Sequence, residues 1–368
     1  MLSKQTITPT LKAGVSCVYL PNQQVVWVGN QMRGCSFPAD WSGLNPRRVI
    51  ELFDGKNTTS QIAAISHSAI AQIDSLISEL RTHNLVNLYR TPIPYLDRYN
   101  PEAGRIEEIA DCENFPSDYA IENFLKRMQI ESDAASTLPG DVDGGRSAVL
   151  ARRDFATLLF GRGRVINSLI GILSSAGFTK LHVVNRVAPK HPSLKILDTD
   201  VSGGWITRSH IGNSRKKLME EIRESSALIN VEKSLTFQPN LVVSIGRPAP
   251  DALQRWISEN TNYLLVDLIS SGEVRIGPLV VPGKTACSRC VDLQDKNHPN
   301  IDTSRQMPEV SSALANLISS NIALDISNQA AGIQSVFLAT SLTYSTKDFY
   351  NPRMQRWIQH INCGCNWG

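Results

Sequence analysis

The chain has no apolar run approaching the ~20 residues that a membrane span requires. Its opening, MLSKQTITPTLKAG, lacks the apolar core of a secretory signal, so a cytoplasmic protein is expected. It also lacks an excess of charge of one sign: 37 Lys+Arg against 34 Asp+Glu leave a formal charge of +3 over 368 residues, which says little about partners. Aromatics are few, at 7%, and the tryptophans (27, 41, 205, 256, 357 and 367) are scattered, so no stacking platform for nucleic acid is present. What remains is 42% hydrophobic and 19% charged, the composition of folded globular domains and not of disordered, collagenous or coiled-coil chains. The length suffices for two or three domains, and no internal repeat is visible.

Three segments follow one another. Residues 1–90 read as a compact α+β unit. VSCVYL (15–20), QVVWVG (24–29) and MRGCSF (32–37) are strand-like and separated by Pro21-Asn22 and Gly29-Asn30. A helix begins with Asn45 as cap and Pro46 at its first position, and Gly55 closes it; Thr58 or Thr59 caps a second. A third, from about 68 to 83, places Ile70, Ile73, Leu76, Ile77 and Leu80 on one face, and LVNLYR (85–90) reads as a closing strand. This order is that of a small winged helix. Residues 91–147 hold twelve Asp/Glu against five Lys/Arg, with five prolines, and read as an acidic connector with a short helix near 117–130. From 148 to 368 the pattern is α/β. FATLLF (155–160), LHVV (181–184), LVVSI (241–245) and YLLVD (263–267) are apolar strands alternating with helical stretches, which predicts a mostly parallel sheet covered on both faces. A helix from about 308 to 325 carries Val310, Leu314, Leu317, Ile318 and Ile322, a core or dimer face.

Two motifs carry chemistry. Gly161-Arg162-Gly163 lies where a strand feeds a helix, the context in which backbone amides approach a phosphate. The third glycine position is Ile166, and Asn185-Arg186 stand where an acid should grip a ribose, so the turn also reads as a packing turn. The stronger motif is a pair of cysteine pairs. Cys287-Ser-Arg-Cys290 and Cys363-Gly-Cys365 sit in turn-like sequence, where four thiolates can enclose a structural zinc that leaves no open position for catalysis; ordinary buried cysteines are the plainer alternative, and His360 is not needed. In the first segment, the 68–83 helix carries only Asp74, Glu79 and Arg81, which disfavours DNA. Strand addition of an extended peptide along 32–37 suits it better, with Cys35, Phe37 and Ile73 as candidate peptide contacts or, equally, as local core.

GPLVVPGKTACSRC (277–290) resembles the segment leading to the zinc cysteines of the ThiF-type, ubiquitin-activating-like adenylyltransferase superfamily, and in particular its branch that accompanies cyclodehydratases of ribosomal peptides. RRDFATLLFGRGRVINSLIGILSSAG (152–177) resembles that branch's glycine-rich strand and helix, and HINCGC (360–365) its ending. The 1–90 unit is similar to the PqqD-like leader-peptide domain that precedes it. The resemblance implies a Rossmann-like domain with a zinc knuckle, a homodimer, a peptide or small-protein substrate, and a YcaO-type partner enzyme. It also implies ATP contacts at Gly161, Gly163 and Arg164. The magnesium-holding aspartate is missing, because the fourth strand ends Ser244-Ile-Gly-Arg247 with no carboxylate before Asp251; Arg186 and Lys284 remain as cations. The expectation is a peptide-presenting protein with no catalytic residues of its own and ATP binding eroded. A working adenylyltransferase and a winged-helix transcriptional regulator are the alternatives.

Overall fold

The computed structural model describes residues 7–12, 14–30, 33–89, 124–125, 127–141, 143–184, 195–201, 206–214, 217–218, 221, 238–295 and 308–365. The chain divides into two compact units, Met1–Val149 and Leu150–Gly368.

In the first unit, strands β2 (Ser16–Leu20), β3 (Val25–Gly29) and β4 (Gly34–Pro38) form an antiparallel meander. β1 (Thr8–Leu11) pairs antiparallel with β5 (Val86–Tyr89). Between them run α1 (Pro46–Ile50), α2 (Thr59–Ser66) and α3 (Ile70–Thr82). The helix signals act as expected: Asn45 Oδ1 accepts from the Arg48 amide, and Thr58 and Gln61 close a reciprocal capping box. Val26, Val28, Phe37, Ile62, Ile73, Leu76 and Leu80 meet in one core, while Ile70 stays exposed at the start of α3. In the acidic segment Phe124, Leu125 and Arg127 are helical, within the expected 117–130, and α4 (Gln129–Ala135) follows directly; residues 117–123 fall outside the described ones. Its loop packs in this same unit, where Lys12 Nζ donates to Asn84 Oδ1 at 2.5 Å and to the Ser136 carbonyl.

The division falls inside α5 (Arg146–Asp154). The second unit holds a seven-stranded sheet. Its elements are β6 (Thr157–Phe160), α6 (Arg164–Ser175), β7 (Leu181–Val184), β8 (Leu241–Ile245), α7 (Pro250–Ser258), β9 (Tyr263–Ser270), β10 (Glu273–Val280), α8 (Ser288–Gln294), α9 (Ser312–Ala330), β11 (Thr340–Ser345) and β12 (Arg353–Arg356). The strand order is β12-β11-β10-β9-β8-β6-β7. The four strands legible in the sequence, β6, β7, β8 and β9, are parallel as expected, and the sheet is extended beyond them by antiparallel β9–β10, β10–β11 and β11–β12 pairs, so it is mixed. The reason is local. Only Ser271 and Gly272 separate β9 from β10, and so short a link permits a hairpin but no crossover.

Both faces of the parallel half are covered. Along β8 every residue is buried, with Val243 and Ile245 facing one core and Val242 the other. The first core takes α6 and α9, tied by Ser319 Oγ donating to the Val165 carbonyl at 2.8 Å and Ser168 Oγ donating to Asn316 Oδ1 at 2.8 Å. Leu314, Ile318 and Ile322 of α9 are at most 3% exposed in that core, so the dimer expectation draws no support from this helix. The second core gathers Trp256, Tyr263, Leu265, Val280 and Trp357 around three of the paired cysteines.

Candidate functional site: a four-cysteine cluster and a closed glycine turn

The cysteines are brought together as their spacing demands. Cys287 caps α8, which carries Cys290 one turn later, and a tight turn at Gly364 (φ 78°) presents Cys363 and Cys365 from the far end of the chain. The Sγ atoms lie 3.8 Å (287–290), 3.3 Å (287–363) and 3.4 Å (290–365) apart, and all four lie within 4.8 Å of one another. A tetrahedron with metal–sulfur bonds of about 2.3 Å has edges of about 3.8 Å, so the donor set fits a four-coordinate soft cation. Burial pushes the Cys287 thiol far up, and Cys365 to about 11. At Cys290 burial opposes ionisation, but the His360 amide (3.3 Å to Sγ) and the neighbouring thiols outweigh it and lower the value. Amide donation of this kind orients and stabilises a metal-bound thiolate. His360 uses its Nδ1 to accept from the Asn362 amide, consistent with its absence from the ligand set.

The surrounding contacts fix the tail. Gln294 Nε2 donates to the Ile358 carbonyl at 2.6 Å, and Trp357 Nε1 donates to Ser341 Oγ at 2.9 Å. Sequence reading missed an adjoining ionic group. Arg275 on β10 donates to Asp267 on β9 and to Asp295 at the end of α8, each at 2.6 Å, and its guanidinium lies 5.6 Å from the Trp357 ring centre. All three are largely buried.

The glycine turn between β6 and α6 exists, but its parts are already used. Gly161 (φ 128°) lies against β8, where a Cβ would meet the Ile245 carbonyl oxygen at 2.5 Å. Arg164 donates through Nε to the Thr199 carbonyl (2.7 Å) and through Nη1 to the Val310 carbonyl (3.1 Å). This holds the segment before α9 over the turn. Gly163 (φ 92°) lies under the Glu309 carboxylate: a Cβ there would stand 2.8 Å from Oε2. The Arg164 amide, at the start of α6, donates to that same carboxylate. Gly161, Gly163 and Arg164 therefore come together, but around the chain's own atoms. At the end of β8, Arg247 pairs with Asp292, Ser244 Oγ donates to the Gly246 carbonyl at 2.9 Å, and Asp251 is exposed in the first turn of α7. Lys284 is exposed in a turn, and Asn185 and Arg186 lie outside the described residues.

Burial and the nearby Asp200 raise the Glu309 carboxyl above the ordinary glutamate range, against the Arg164 amide and the Arg162 and Arg164 cations that lower it. A raised acid binds its proton more tightly folded than unfolded. Stability is therefore lost as pH rises from the usual glutamate range through the folded value. Glu309→Gln is expected to leave stability unchanged below pH 4, within error, and to exceed the native chain at neutral pH; a gap of opposite sign in chemical denaturation would contradict this.

In the first unit, Phe37 (2% exposed) and Ile73 (0%) pack in the core beneath β4 and α3. Cys35 is half-buried on β4, its thiol pushed to about 11 by burial and the Glu79 charge. What stays open is backbone. Asn30 donates to Arg33, and Ala39 to Gln24, so residues 33, 35, 37 and 39 bond toward β3. Gly34 and Ser36 then direct both N–H and C=O to the other side, where no strand pairs with β4 among the described residues. A separate cavity of about 350 Å³, lined by Arg81, Asn84, Leu88, Leu138 and Asp141 among others, was not legible in the sequence. Among the described residues no helix is long and apolar enough to cross a membrane.

No protein-family model and no curated protein matches the sequence. Solved structures do. The chain is similar to MccB of E. coli with AMPCPP and selenomethionine MccA at a TM-score of 0.61 and 12% identity, covering 98% of this chain and 99% of that one. The microcin C7 biosynthetic enzyme MccB in complex with N-formylated MccA gives a TM-score of 0.61, 13% identity, and 97% and 99% coverage. The heterocyclase TruD gives 0.54 at 11% identity, covering 97% of this chain and 42% of that one. The likeness to MccB extends over nearly all of both chains. At these identities the likeness speaks for the fold.

Proposed function

We propose that this chain is a ThiF-type, peptide-binding protein of ribosomal-peptide modification. Its first unit is a winged helix that captures a precursor or leader peptide as an added strand. Its second is a Rossmann-like platform held by a structural zinc on Cys287, Cys290, Cys363 and Cys365, and the chain presents the peptide to a partner enzyme of the YcaO cyclodehydratase type. The observation that carries the reading is the edge of β4, whose amides at Gly34 and Ser36 have no strand partner among the described residues while their neighbours are paired. Strand addition draws affinity from such main-chain groups and specificity from alternate side-chain positions. The fold likeness to MccB, solved in complexes with MccA, supports the same reading.

Ser36→Pro tests it. The Ser36 N–H points away from β3, so proline removes no bond of the native sheet and is tolerated on an edge strand. It does remove one of two donors an incoming strand needs. Peptides enriched by panning a random library on the full chain are expected to bind this variant about tenfold more weakly at an unchanged melting temperature. Equal affinity would overturn strand addition at β4.

A second reading, ATP-dependent adenylation of a peptide carboxylate, is favoured by MccB structures that hold ATP or AMPCPP. Exchange of labelled pyrophosphate into ATP, dependent on added peptide, would establish it.

A further inference from the structure

Nucleotide-binding turns of this kind offer backbone amides, at a helix N-terminus, to a phosphate. Here that position already holds an anion that the chain supplies itself. The Glu309 carboxylate lies over Gly163, accepts from the Arg164 amide, and lies near the Arg162 and Arg164 charges. Arg164 spends its guanidinium on the carbonyls of Thr199 and Val310, the latter next to Glu309 itself. The residue that should reach a phosphate instead fastens the segment carrying the carboxylate.

We infer that Glu309 is an internal phosphate mimic, which stoppers the Gly161–Gly163 turn and keeps it closed to nucleotide phosphates. This deepens the non-adenylating reading above, because it gives the lost activity a specific cause: a tethered carboxylate in place of the ligand. Three features make the stopper effective. It is covalently part of the chain, so no translational entropy opposes its occupancy. Its charge repels a second anion at close range. The amide it uses is the donor a phosphate oxygen would need. Gly163 suits the place because its φ of 92° disfavours any L side chain, and the bare backbone lets the Glu309 carboxylate lie close against it.

The inference is tested on the full chain at pH 8, by thermal shift and isothermal titration with inorganic tripolyphosphate and with ATP, each with and without magnesium. The native chain is expected to show no saturable binding in the millimolar range. Glu309→Ala, which removes charge and bulk, is expected to bind tripolyphosphate about tenfold or more tighter than the native chain, and Glu309→Gln to fall between them. Glu309→Gln keeps the side-chain shape, so it decides the matter even where the alanine variant folds poorly. Binding by the native chain equal to that of the variants, or no gain in either variant, would overturn the inference. A gain for ATP but not tripolyphosphate would overturn it also, because the opened site would then not be a phosphate site. Peptide capture by the Ser36→Pro comparison runs separately in the first unit, so failure here leaves that reading intact and failure there leaves this one.

Discussion

Cys290→Ser is expected to strip the metal from the purified chain and to unfold the second unit at ambient temperature. A structural tetrathiolate zinc contributes on the order of 10–16 kcal/mol of apparent binding energy in small zinc domains, as much as or more than the roughly 5–15 kcal/mol that holds an ordinary domain folded. The loss propagates because the cluster is part of a core. Cys287, Cys290 and Cys363 are each at most 7% exposed and pack with Trp256, Tyr263 and Trp357. Elemental analysis should fall from one zinc per chain to near none, and the native chain treated with a strong chelator should follow the same melting curve as the variant. A variant that keeps its melting temperature, in a chain that never held metal, would remove zinc from the account.

Arg275→Met is the second large effect. The native guanidinium is divided between two carboxylates, Asp267 and Asp295, whose side chains are only 13% and 11% exposed. Removing one partner of a buried ionic group leaves uncompensated charge and costs about 3–5 kcal/mol. For a unit of this size that corresponds to a melting temperature lower by about 6–20 °C. The cause is separable from lost packing. If stranded charge is responsible, adding Asp267→Leu and Asp295→Leu to Arg275→Met restores much of the loss; if restoration fails, the Trp357 stacking and side-chain fit carry the stability. Either way the tail bearing Cys363 and Cys365 is seated partly by an arginine on β10.

Features with a local signature are legible in the order of residues alone. Asn45-Pro46 and Thr58 announce their helices because capping is a contest over a few amides near in sequence. The four cysteines stand out because thiolate ligation needs close pairs, and close pairs are visible. The glycine turn is legible too, as geometry, since Gly161 and Gly163 both adopt positive φ.

What the residue order hides depends on long-range company. β12, Arg-Met-Gln-Arg, is exposed at all four positions and forms a strand because β11 offers it an edge, not through any apolar alternation. β1, Thr-Pro-Thr-Leu, exists because β5 returns to pair with it. Phe37 and Ile73 can be named as important but not assigned, since periodicity marks an apolar face without saying what covers it. Glu309 is the sharpest case. A single glutamate distant in sequence from the turn it caps has no pattern to betray it, and its meaning emerges only once Val310 and Thr199 are seen on Arg164.

The cysteine arrangement also constrains how the protein is made. Cys287 and Cys363 are 76 positions apart, and between their two pairs run α9, β11 and β12. During vectorial synthesis the first pair leaves the ribosome as an exposed, half-built chelate and waits for all of that chain to follow. A cation that needs all four sulfurs would therefore be held only after both pairs have been made.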